Sequence, residues 1–459
     1  MQVSFGVSAY DSNDFGLPTV ELENFYPEVL PQLGQARLYP TPGLTLFAAS
    51  ANAVRGVFQA DGALSGEIVY ADGGDIKRVD SGGTVSAVGT AATDDYRAQF
   101  ATSYAHLVAV SGGSAYVVNA SSLTAITVSN AGSLTGLATI NQRHLYTDSE
   151  YLWWSDVADP QTVQATAFAA PEQEPDALLG VAVHRGRVWL LGKQTMEMWT
   201  PTAASDVANA FAFTGYTAPN GVIGRDAHCL TDDALFVVAP SGQVFRMDGT
   251  QRTRISTGDI ERRIKSLSAA NQEKVRLSSY QWNGHEFVRV TLPSAGSWNY
   301  DLATGAWHRA RSLGAETHIA DDYVMAFGST YAAGAGGIYS LSSTVYTEGG
   351  EYVRRVAQAL IPVEDGRPNL DRLTVRTSTV GIPGTGQGSE PKLLLRYARD
   401  GVVFGNEIER TAPISGVYST GVSWGPLGHL KPPVCKIEVA YSDPVGLTLS
   451  NVELNRSRP

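Results

Sequence analysis

The amino-acid sequence predicts an all-β protein: a β-propeller of six or seven blades with an additional antiparallel, β-sandwich-like domain. Three observations carry that expectation. A hairpin pattern recurs seven times at blade-like spacing, the composition is rich in turn residues and poor in charge, and the texture of the chain changes after residue 345. Of 459 residues, 47 are glycine, 17% are charged and 43% are hydrophobic, which excludes coiled coils, long solvated helices and disorder. At roughly 150 residues per domain, this length allows about three units, or one large repetitive unit with additions.

Residues 1–45, which include FYPEVLP and YPTPGL, are too proline-rich for regular structure and predict an extended strap over the surface. The propeller is expected over 46–345. Its unit is a β-rich run, a Gly, Asp or Ser turn and a second β-rich run, seen in GEIVYADGGDIKRVD (66–80), HLVAVSGGSAYVVN (106–119) and HLYTDSEYLWWSD (144–156). It recurs in RVWLLGKQTMEMWT (187–200), ALFVVAPSGQVFRMD (234–248), EFVRVTLPSAGSWNYD (286–301) and, more loosely, YVMAFGSTYAAGAGGIYSL (323–341). Successive runs start 37 to 52 residues apart, the range of one four-stranded blade. A lone hairpin such as 234–248, with Phe236, Val237 and Val238 before its turn and Val244 and Phe245 after it, would expose too much apolar surface. Radial packing hides that surface. Stacked sandwiches with the same hairpin spacing are the alternative.

One helix is expected at about 259–270, with Asp259 as cap, Ile260, Ile264 and Leu267 on one face, and Glu261 with Lys265 as an i,i+4 pair. The surrounding stretch holds eight basic residues, Arg246, Arg252, Arg254, Arg262, Arg263, Lys265, Lys274 and Arg276, against Asp248, Asp259, Glu261 and Glu273. It reads as a solvated face or as a docking surface for an acidic partner, with Arg262, Arg263 and Lys265 as candidate contacts. In 346–459, strand-like runs at 353–363, 371–380, 392–398, 434–442 and 447–454 alternate with Gly- and Pro-rich turns such as GIPGTGQGSEP (381–391), predicting a separate antiparallel β domain.

Catalytic motifs are weak. GVSWG (421–425) matches a nucleophile elbow with Ser423, but Pro426, Pro432 and Pro433 follow where a helix would be needed. GRVWLLGK (186–193) has the wrong glycine spacing for a phosphate loop, and Gln194 stands where Ser or Thr belongs. The eight histidines lack ligand spacing, and DSNDFG (11–16) departs from a calcium loop at Phe15 and Leu22. No cofactor, metal site or catalytic residue is expected. Cys229 and Cys435 read as buried or incidental thiols. RYARDGVVF (396–404) resembles a degraded Asp-box turn, with Asp400 and Gly401 in place and Phe404 where a Trp would stand. The formal charge of −11 argues against gripping nucleic acid through phosphates. With no basic cluster before an apolar run and no window near the ~20 apolar residues of a membrane span, the chain is expected to be made in the cytosol without stable membrane insertion.

Several stretches in succession resemble the packaged-DNA stabilisation proteins, the tail-hub or nozzle proteins of short-tailed double-stranded DNA phages. They are ENFYPE (23–28), TPGL (41–44), WNYDLATGAWHRARS (298–312), LLLRYARDGVVFG (393–405), GVYSTGVSWGPLG (416–428) and AYSDPVGLTLSNVEL (440–454). The resemblance implies a structural virion protein of the phage tail: a homo-hexameric ring below the tail adaptor (head-to-tail connector) proteins that extends the DNA channel, retains the genome and conducts it during ejection. Tail needle, fibre or spike proteins are the implied distal partners, with genomic DNA passing transiently. Asn24, Phe25, Tyr26 and Pro27 are candidate interface residues for their aromatic content. A carbohydrate-binding or glycosidase-like propeller engaged in receptor recognition is the alternative. The two differ in mass, a ring against a discrete monomer or trimer.

Overall fold

The computed structural model describes residues 2–10, 19–30, 35–59, 62–174, 176–204, 206–363, 368–414 and 421–457. The chain is mostly β. Six of the seven hairpins read from the sequence supply the second and third strands of a blade, as in Ile68–Asp72 with Asp75–Val79, Leu107–Ser111 with Ser114–Val118, and Leu235–Val238 with Val244–Asp248. The pairing of Ser111 with Ser114 leaves Gly112 and Gly113 as a two-residue loop, with φ of 57° and 75°. Two positive φ angles are what a type I′ hairpin turn demands, hence two glycines. The run at 323–341 starts one strand earlier, in Ala320–Ala326, and continues through Ser329–Gly334 into Gly337–Ser342. Some flanking strands leave little mark in sequence because they are short or polar: His228–Leu230 has three residues, and all four of Gln251–Arg254 are exposed.

Six blades are separate four-stranded sheets. Arg276–Trp282, His285–Leu292, Gly296–Asp301 and Trp307–Ala310 form a further four-strand run, placed between the blades at 228–254 and 320–342, which continues into a nine-stranded sheet. The ring closes through the N-terminal segment. Gly43–Ala49 is the fourth strand of the last blade, paired from Gly43 with Ser342 to Ala49 with Gly337.

The nine-stranded sheet runs from Trp307–Ala310 to Leu22–Glu23, then through Arg355–Pro362, Val434–Tyr441 and Lys392–Ala398 to Ile408–Thr411. A seven-stranded sheet orders Phe25–Leu30, Gln35–Pro40, Gly446–Ser457, Asn369–Val380 and Gly421–Trp424, with Gln2–Val3 and Gly428–His429 attached. One apolar core lies between these sheets: Val375, Leu449 and Val452 from one, Ile361, Leu395, Ile437 and Val439 from the other, all fully buried.

Two expectations are corrected. The N-terminal segment is no surface strap: Phe5, Ala9, Leu22, Phe25 and Leu38 belong to that core, and 25–40 contains a hairpin. Proline did not forbid it, because Phe25–Leu30 is an edge strand on which the N–H missing at Pro27 costs no ladder bond. The helix spans Gly258–Ser266 with Thr257, not Asp259, at its N-cap, and a second short helix covers Ala269–Gln272. Ile260 and Ile264 are buried as expected, but Glu261 accepts from Arg254 Nε (2.6 Å) and Ser256 Oγ (2.7 Å). The tertiary partners outcompete the anticipated i,i+4 lysine. The calcium-like DSNDFG falls outside the described residues.

Candidate functional site

A propeller's usual site is its axis, so the residues where the first strands begin decide what this one can do. Here they form a charge network. Asp94 accepts from Arg55 (3.3 Å) and Arg225 (3.1 Å), Asp226 from the backbone N–H of Arg97 (2.8 Å), and Arg276 reaches Asp226 (3.5 Å) and Asp321 (3.0 Å). Arg97 also pairs with Asp322 at 3.4 Å, and Arg225 lies over the Tyr96 ring. Arg97 and Asp226 belong to blades that are not neighbours in the ring, so their bond crosses the axis. Four arginines face four aspartates, which leaves the network formally neutral.

Burial pushes the Asp226 carboxyl up, but Arg276 and Arg97 outweigh it and hold it below the ordinary range. For Asp322 burial wins over Arg97 and Arg276, and its carboxyl is raised. In an ion-pair set of this kind, removing one member leaves an uncompensated buried charge. A hollow of about 700 Å³ at one end of the network is lined by the already paired Arg55, Asp94, Arg276 and Asp321. Of the network residues, sequence reasoning singles out only Arg276, as part of the basic stretch from Arg246 to Arg276 rather than as an axial residue. The available signal was an Arg or Asp recurring where several of the first strands begin, as in DDYR (94–97), GRD (224–226) and ADD (320–322).

The second notable region is the seam between propeller and C-terminal sheets, built on the expected contact residues Asn24 to Pro27. All four are buried. Asn24, at φ 56°, donates through Nδ2 to the Arg311 and Arg354 carbonyls (both 2.8 Å), and its Oδ1 accepts from Arg311 N–H (3.0 Å). It ties the end of one blade run to the start of the C-terminal domain. Phe25 packs on Tyr441, while Tyr26 stacks with Tyr39 and meets His285 and Phe287 edge-on. Their aromatic faces are therefore occupied within the chain.

Next to Tyr26, His285 sits between Glu28 (2.7 Å) and Asp301 (2.9 Å). The Asp301 bond, reinforced by Glu28, overcomes burial and raises the imidazole to about 9. Beside this, Glu23 carries a carboxyl that burial and Glu21 push up to about 7, with Arg309 3.6 Å away.

Arg262 and Arg263 both converge on Asp259, Arg263 also covers the Trp298 ring, and Lys265 is exposed. Elsewhere, Lys274 binds Asp95 at 2.6 Å and Arg252 lies over Phe245. Ser423 lies in the strand Gly421–Trp424, its Oγ 2.8 Å from Thr374 Oγ1 across the ladder, with no helix following among the described residues. In the Asp400 turn, the carboxylate accepts from Val402 and Val403 N–H, and Phe404 lies under Arg396 and Lys436. Both thiols are buried, and burial pushes each up to about 12. Among the described residues no group of three or more His, Cys, Asp or Glu could hold a metal, and no helix is long and apolar enough to cross a membrane.

The chain is similar to several known proteins. The tail hub protein gp10 of Salmonella phage P22 is 24% identical over 305 residues, which span 62% of this chain and 61% of that protein. Among solved structures, BamB from Moraxella catarrhalis aligns at 13% identity and a TM-score of 0.40, over 74% of this chain and 96% of that one. The extracellular domain of a one-component system from B. thetaiotaomicron aligns at 12% identity and 0.45, over 92% and 61%. A family described as bacteriophage P22 Gp10, β-propeller, matches residues 1–341. With three quarters of its length covered by that match, the chain belongs to the P22 Gp10 β-propeller family of phage proteins.

Proposed function

We propose that the protein is a non-catalytic structural subunit of a phage tail hub, made in the host cytoplasm and resident in the virion. Copies form a hexameric ring below the tail adaptor proteins, continue the DNA channel, help to retain the packaged genome and conduct it on ejection, with needle, fibre or spike proteins as distal partners. Family membership and the name of the P22 relative support the tail assignment. The structural observation that carries the reading is the charge network crossing the propeller axis. It ties non-adjacent blades to one another, and in this reading the conduit runs between copies rather than through each propeller.

The seam supports the same role. One sheet continues from a blade into the C-terminal domain through Leu22–Glu23, which couples the two parts mechanically. A net charge of −11 suits a wall past which DNA slides, because each phosphate neutralised by Lys or Arg adds affinity that ejection would have to overcome. The test is negative-stain microscopy of the purified protein mixed with the tail components of its virion. Rings seated on the adaptor support the reading, whereas a protein that remains a monomer or trimer and is stabilised by sugars overturns it.

A further inference from the structure

Two adjoining hollows of about 520 and 490 Å³ share Gln281, Glu286, Met325 and Thr330 and make one groove. It lies where three successive first strands turn into second strands, at the pairs Leu230 with Leu235, Trp282 with His285, and Ala326 with Ser329. Part of its lining is apolar and open to solvent, with Leu230 38% and Met325 49% exposed. Tyr280 and Tyr323, whose ring centroids are 4.4 Å apart, add an aromatic surface.

The groove is acidic. Asp232 and Glu286 contribute carboxylates, and among the described residues the lining holds no Lys or Arg. Cations on neighbouring elements are committed elsewhere: Arg185 to Asp233 and Asp248, Arg289 to Asn299 and the Ala320 carbonyl, and His285 to Glu28 and Asp301. Glu286 is half-buried, and its partners are neutral, the Gln281 side chain and the Asp232 N–H; burial raises its carboxyl, and Asp232 and Asp233 push the same way. A carboxylate drawn out of water without a cation loses solvation that an incoming cation can replace. Arginine suits the combination, because its stem lies along apolar residues, its guanidinium stacks on aromatic rings and its fork meets a carboxylate with two hydrogen bonds.

We propose that this groove is a docking site for an extended, arginine-bearing segment of another protein, the arginine heads meeting Asp232 and Glu286 and their stems lying along Leu230 and Met325. The same carboxylates repel phosphates, so the occupant is a protein segment rather than nucleic acid or an anionic lipid surface. Within the tail-hub reading, on which the inference rests only for the partner's location, that protein is a neighbour in the tail.

The test is calorimetric titration of the full chain with an acetylated, amidated hexapeptide of alternating arginine and alanine. Binding should weaken at least about 10-fold when citrulline, which keeps the shape and loses the charge, replaces arginine, and it should fall as salt rises. Asp232→Asn with Glu286→Gln should also weaken it at least about 10-fold, whereas Asp75→Asn with Glu150→Gln, which removes the same charge from turns between second and third strands, should leave it within about 2-fold. Unchanged melting temperatures establish that the variants fold, and Asp232→Asn alone, at an exposed turn, is the fallback. No binding of the arginine peptide, equal binding of the citrulline peptide, or equal losses in the two variant pairs overturns the proposal. Groove variants that lose self-association in sedimentation, while wild type ignores the peptide, assign the groove to a second copy and overturn it as well. If the peptide fails to bind but the chain still enters tails, the tail-hub reading stands. Peptide binding as expected with no entry into tails counts against that reading alone.

Discussion

Replacing Asn24 with alanine tests whether one buried side chain holds the propeller to the C-terminal sheets. The substitution removes three hydrogen bonds of 2.8, 2.8 and 3.0 Å and strands two carbonyls and one N–H of Arg311 and Arg354. An unsatisfied buried backbone group costs about 1–3 kcal/mol. Water can reach part of this site, as both arginines are only partly buried, so the low end applies, about 3 kcal/mol for the three. Alanine at a φ of 56° adds about 1 kcal/mol, giving about 4 in all. Urea unfolding followed by tryptophan fluorescence should show the lowered midpoint. Asn24→Gly separates the two contributions: it tolerates the backbone and should recover about 1 kcal/mol, leaving the hydrogen-bond loss. If both variants unfold within 1 kcal/mol of wild type, the bonds at Asn24 do not couple the two parts.

Four further outcomes are expected. His285, raised from 6.5 to about 9, contributes stability that is fully present below pH 6.5 and lost as pH rises through 9, so the melting-temperature difference between wild type and His285→Gln should shrink between pH 6.5 and 10. His144 and His228 are buried and lowered to about 4, and their contribution is present above pH 6.5 and lost as pH falls through 4; His144→Gln should flatten the acid limb of a stability profile. Asp226→Ala leaves Arg276 and Arg97 facing an empty place at the axis and should cost about 3–5 kcal/mol by denaturant titration; a loss below 1 would show that the network is solvated. Duplex DNA should not bind the isolated protein measurably at about 0.15 M salt, and a steep salt slope that disappears when Arg262, Arg263 and Lys265 become Gln would instead assign that face to DNA contact.

What the sequence determined by itself is local. Two-residue glycine turns such as Gly112–Gly113, and runs such as Leu235–Val238, announce hairpins because turn chemistry and strand propensity act over a few residues. Their spacing implied blades because a lone hairpin cannot bury its apolar faces. The family resemblance was also legible, as an ordered succession of short stretches. The fate of the first 45 residues was not, since Gly43 pairs with Ser342 and Gln2 with Glu453, partners hundreds of positions away that leave no local mark. Aromatic content made Phe25 and Tyr26 look like contact residues, and only tertiary packing decided that Tyr441 and Phe287 cover them. The same holds at the axis: Arg97 and Asp226 are ordinary strand-flanking residues until ring closure brings non-adjacent blades within hydrogen-bond distance, where burial makes their pairing obligatory.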